Sequence, residues 1–112
     1  MAQNTSLAGY GIVLVTVPSQ QEGEMIAQAL VETQMAACVN LMPVHSIYIW
    51  EGEINKDKEW QMVIKTELSL FPSLEEKIYQ LHSYEVPEII ALPIVAGSEE
   101  YLQWIADNTE VP

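Results

Sequence analysis

The sequence predicts an α+β protein of βαββαβ order with one further helix at its C-terminal end. Three observations predict it. Apolar runs and two-residue alternation mark four strand segments, and apolar residues at helical spacing mark three helical ones. Prolines and capping serines fall between these segments, where chain direction has to change.

The elements follow in order. Residues 1–8 are polar and are expected to be a flexible N-terminus, with one domain over residues 9–112. YGIVLVTVP, Tyr10 to Pro18, is a near-continuous apolar run and reads as a buried central strand. Ser19 to Glu22 has the S-x-x-E spacing of a capping box, which satisfies free amides at a helix start. Ile26, Ala29, Leu30, Thr33 and Ala37 continue at helical spacing, so a helix is expected to about Met35 or Ala36.

Val39 to Trp50 is rich in strand formers, and Pro43 within it marks a bulge or an edge position, because proline cannot donate to a ladder. EINKDKE, Glu53 to Glu59, reads as a polar turn. WQMVIKT then alternates, with Trp60, Met62 and Ile64 on one face, and closes a β-hairpin. Ser69 or Ser73 is expected to open a second helix with Pro72 in its first turn and Leu70, Leu74, Ile78 and Leu81 on one face. That helix ends near His82, since Pro87 prevents its continuation. EIIALPIVAG, Glu88 to Gly97, is the fourth strand, and SEEYLQWIADN is a short helix capped at Ser98.

This is the split-βαβ, ferredoxin-like arrangement: an antiparallel sheet with two helices on one face. The β2–β3 hairpin is longer than such a sheet needs, so part of it should protrude. A protruding hairpin bearing Ile47, Ile49, Trp50 and Trp60 exposes apolar surface and open edges. Copies of the same chain, related by closed rotational symmetry, would cover it. Trp50 and Trp60 are therefore expected at assembly contacts, and Trp104 against its own subunit.

The 112 residues carry 16 acidic side chains against four lysines and no arginine, a net charge of −12. Nucleic acid and anionic membrane surfaces are not expected partners, because both require a basic face; cations are attracted instead. The single cysteine, Cys38, rules out an intrachain disulfide, and the start MAQNTSLAGYG does not resemble a secretory signal, so the cytoplasm is the expected compartment. No phosphate-cradling glycine loop and no G-x-S-x-G elbow is present, and no catalysis is expected.

AACVNLMP, SIYIWEGEI, KT and YEVPEIIALPI with the later glycine and YLQWI together resemble the CutA family of divalent-cation-tolerance proteins, over nearly the whole of Gly11 to Ile105. The resemblance implies a ferredoxin-like homotrimer, similar in architecture to PII-type signalling proteins, whose hairpins pair across subunits. It also implies tolerance of copper and other divalent cations, with copper(II) or another divalent cation as the bound metal, and no established reaction. It names no partner protein for this chain. Ser83 stands where the family's HPYEVPE pattern has proline. Val15 and Leu81 stand where some relatives have a cysteine and a second histidine. The relatives' copper site is therefore not carried over whole.

His82 is the first metal candidate, because neutral imidazole binds copper well and Glu85 is near in sequence. A histidine at this place also serves a helix end by bonding free carbonyls. Cys38 is a soft ligand candidate, or a small buried apolar residue. His45 suits a surface or an interface. Glu85 and Glu88 could act as an acid–base pair, or simply be solvated. Tyr84, Glu85 and Trp50 form a candidate ligand cleft between subunits, with aromatic walls and few polar groups.

Overall fold

The computed structural model describes residues 8–110. The N-terminal segment expected to be flexible lies, apart from Ala8, outside them. Four strands and three helices follow in the expected order: β1 Tyr10–Val17, α1 Gln20–Glu32, β2 Cys38–Trp50, β3 Glu53–Glu67, α2 Phe71–Leu81, β4 Ile90–Pro93 and α3 Glu99–Asp107. The sheet is ordered β2-β3-β1-β4 and every pairing in it is antiparallel.

One face of the sheet carries the core. Val13, Val15 and Val17 of β1 and Met62 and Ile64 of β3 pack against Ile26 and Leu30 of α1 and Leu74 and Ile78 of α2. Burying each such side chain contributes about 1.5–3 kcal/mol. Gly23 lets α1 approach closely: a Cβ there would lie 2.9 Å from Leu41 and 3.1 Å from Val17. On the other face α3 lies over the Cys38–Lys65 end of the sheet, where Tyr101 meets Cys38 and Thr109 bonds Glu67, while Ile90 and Leu92 are half exposed.

Several boundaries differ from expectation. α1 stops at Glu32 rather than near Met35. Gln34 takes a left-handed conformation (φ 59°), and the amides of Gln34 and Met35 bond the carbonyls of Val31 and Leu30. This is a Schellman stop, built without the usual glycine. For Pro43 the edge position, one of the two expected, holds: β2 is an edge strand, and its register with β3 is unbroken from Cys38↔Lys65 to Trp50↔Glu53.

The hairpin turn is Glu51–Gly52, not the polar run EINKDKE. Both residues have positive φ, 52° and 79°, as a type I′ turn requires, and Gly52 adopts that conformation without strain. The polar run belongs to β3, opposite Val44 to Trp50. Neither Ser69 nor Ser73 caps α2, which grows out of a 3-10 turn over Leu68–Leu70. β4 is confined to Ile90–Pro93, where β1 offers partners.

The expected hairpin overhang is present. β1 pairs with β3 only from Trp60 onward, so Glu53–Glu59 and the facing Val44–Trp50 project beyond the sheet. Ile47, Ile49 and Ile54 on it are 70%, 73% and 72% exposed. Of the two hairpin tryptophans, Trp50 lies on the exposed overhang as expected, and Trp60 does not. Trp60 packs on the core of its own chain, whereas Trp104 is 42% exposed.

Candidate functional site

The connection after α2 builds the site. His82 is the C-cap of α2, and its extended backbone carries the chain past the end of β1. Its side chain is fully buried. Nε2 donates to the carbonyl of Thr16 at 2.7 Å, and Nδ1 accepts from the amide of Tyr84 at 3.0 Å. That pattern defines a neutral ring protonated on Nε2. Glu22 Oε2 lies 3.5 Å from Nδ1 and accepts from the Ser83 amide and hydroxyl at 2.9 and 3.0 Å. Glu22 is the acid of the S-x-x-E box. Its amide bonds Ser19 Oγ as the box requires, but its carboxylate ties the end of α2 to the start of α1.

Beyond His82 the chain meets the hairpin root. Tyr84 lies over the His82 ring, with centroids 4.9 Å apart, and its hydroxyl donates to Glu59 Oε2 at 2.7 Å. Burial, reinforced by the hydrogen bond to Glu59 and its charge, pushes the Tyr84 phenol well above the usual tyrosine range. Glu59 is itself buried, at 5% exposure. Tyr48 donates to Asp57 on the same face of the hairpin as Glu59, and that bond raises its phenol in turn.

These groups border a cleft of about 640 Å³ between the hairpin and the 83–88 segment, lined among others by Thr16, Tyr48, Trp50, Glu59, Tyr84, Glu85 and Glu88. The structure therefore brings Tyr84, Glu85 and Trp50 together on one cleft. It does not bring His82 and Cys38 together. Cys38 pairs with Lys65, which pairs in turn with Ile12, whereas His82 bonds Thr16. Ile12 and Thr16 are roughly 13 Å apart along the strand at 3.3 Å per residue. Cys38 sits near Lys65 Nζ, at 4.0 Å, and near Tyr101, whose phenol is raised by burial and secondarily by Cys38. His45 is exposed on the overhang opposite Lys58.

The residues do not fit a preformed metal centre within one chain. Both nitrogens of His82 are occupied, and among the described residues no three His, Cys, Asp or Glu side chains are placed to hold a metal ion. Glu59, Tyr48 and Glu22 were not anticipated. Reading KDKE as turn hid Glu59. The signal that locates it is Glu51–Gly52 as a two-residue turn, from which the register puts Glu59 opposite Val44 at the hairpin root.

A ferredoxin-like sheet whose β2–β3 hairpin outruns its neighbours, with a cleft at the hairpin root, defines the class of protein by its fold. Comparison with known proteins then gives the family: the model of the CutA1 divalent ion tolerance protein matches residues 11–108, and the chain belongs to that family. The divalent-cation tolerance protein CutA of Thermus thermophilus is 50% identical over 99 residues, covering 88% of this chain and 96% of that protein. Human protein CutA is 48% identical over 97 residues, 86% of this chain but 54% of that protein. The chain thus spans about half the length of the human relative. The solved structure of the periplasmic divalent cation tolerance protein CutA from Archaeoglobus fulgidus superposes with a TM-score of 0.89 at 39% identity, over 90% of this chain and 99% of that one.

Proposed function

We propose that this chain works as a cytoplasmic homotrimer in tolerance of divalent cations, binding copper(II) or another divalent cation weakly or moderately and catalysing no reaction. Family membership carries this reading. The net charge of −12 supports cation attraction, and the apolar overhang supports assembly. Weak binding accords with the occupied ring of His82, because a cation there must displace the Tyr84 amide. Cys38 and the surface carboxylates are the other donors. The test is a copper(II) titration of the purified chain beside His82→Ala and Cys38→Ser. Binding that weakens in either variant supports the reading; identical isotherms in all three remove both residues as ligands.

A second reading has its own observation. The cleft that unites Trp50, Tyr84 and Glu85 suits a small molecule, which favours a PII-like sensor. Saturable binding of a small organic ligand by a trimer that leaves copper(II) unbound supports this reading over the first.

A further inference from the structure

We propose that the cleft at the hairpin root binds an organic ammonium cation, a primary alkylamine in its charged form, with Glu59 as counter-ion and Trp50, Tyr48 and Tyr84 as walls. The proposal rests on the second reading above and names its ligand class.

Glu59 carries the inference. It borders the cleft, yet it is only 5% exposed. Among the described residues its carboxylate is hydrogen-bonded by Tyr84 alone, through Oε2, and no lysine borders the cleft. A buried carboxylate with a free oxygen and no cation is costly to maintain. An ammonium N–H donating to Oε1 makes the charge-assisted bond that is missing.

The surroundings select the kind of cation. A bare divalent ion needs several oxygen or nitrogen donors converging on one point, and among the described residues no such group of three exists. The cleft instead offers aromatic side chains beside the acid, and aromatic faces attract a cation that also carries an apolar stem. Tyr48 is held by its bond to Asp57, and Tyr84 by its bond to Glu59, so both rings are fixed before the ligand arrives. Glu85 and Glu88 at the same cleft repel anions. A volume of about 640 Å³ accommodates a small organic molecule.

The test titrates the purified full chain with n-butylammonium chloride, 1-butanol and sodium butyrate at 150 mM salt, read by NMR shifts of the indole N–H signals. Saturable binding of butylammonium alone, with the Trp50 signal moving, is the expected result. Glu59→Gln keeps an acceptor for Tyr84 and should weaken butylammonium at least tenfold. Trp50→Leu, on the overhang and 46% exposed in the single chain, should weaken it severalfold, read at the Tyr84 backbone amide signal, and decides the matter if Glu59→Gln does not fold. Butanol or butyrate binding as well as butylammonium overturns the ligand class and leaves the cleft reading standing. No saturable binding of any of the three overturns both. Butylammonium binding unchanged in both variants reflects general attraction to a chain of charge −12 and also overturns the proposal.

Discussion

At the residue scale, His82 holds three segments together. Its ring joins the end of β1 to the 83–88 segment, and Glu22 adds α1 to the same knot. His82→Ala leaves the Thr16 carbonyl and the Tyr84 amide without their partner. Each such group costs about 1–3 kcal/mol if it stays dry. A loss of unfolding free energy of that order, read as a lower urea midpoint, is expected, and an unchanged midpoint would show that water replaces the ring freely. Tyr84 makes a pH prediction. Its phenol is raised in the folded chain, so the fold holds its proton more tightly than the unfolded chain does. The stability it contributes is complete below about pH 10, the ordinary tyrosine value, and declines as pH rises above it. Alkaline unfolding of Tyr84→Phe should therefore be less steep above pH 10 than that of the parent, measured by circular dichroism.

At the element scale, two residues with positive φ set the ends of elements. Gln34 stops α1 at a left-handed position that glycine occupies more easily. Gln34→Gly should stabilise the chain by a few tenths to about 1 kcal/mol, the reduced strain being offset in part by a more flexible unfolded chain. Gly52 does the reverse service in the hairpin turn, and Gly52→Ala should lower the thermal midpoint by an amount corresponding to roughly 1 kcal/mol. An unaffected midpoint would mean that the turn relaxes to another type. The polar residues Asn55 to Lys58 read as a turn by composition, yet each is paired with a β2 residue from Tyr48 to His45. Their polarity reflects the solvent on both sides of the overhang, not a change of chain direction.

At the scale of the whole molecule, the overhang and the half-exposed Ile90 and Leu92 of β4 are the features a lone chain leaves uncovered. Ile49 and Ile54 are paired across the hairpin and more than 70% exposed, an apolar surface that assembly would cover. Sedimentation equilibrium at low micromolar concentration should give three times the 12.6 kDa chain mass, and a stable monomer would defeat the proposed assembly. Ile49→Asp should weaken association and make the melting temperature depend more steeply on protein concentration. Trp60→Ala should lower the melting temperature by a similar amount at every concentration, because Trp60 packs on its own core.

Element type and order were legible in the sequence because they depend on local pattern: the near-continuous apolar run of β1, the helical stripe through Ile26 and Leu30, the serine caps at Ser19 and Ser98. The aromatic half of the cleft was legible too, in Trp50 and Tyr84. Its acid was not. Glu59 looks like any solvated glutamate in KDKEW, and only pairing across the hairpin buries it beneath Tyr84. The same holds for His82. Its residue type advertises a metal ligand, but the carbonyl that occupies Nε2 belongs to Thr16, 66 positions away. Local periodicity determines which elements form. Which donors and acceptors remain free is decided by contacts between residues distant in sequence, and those exist only once the sheet has closed.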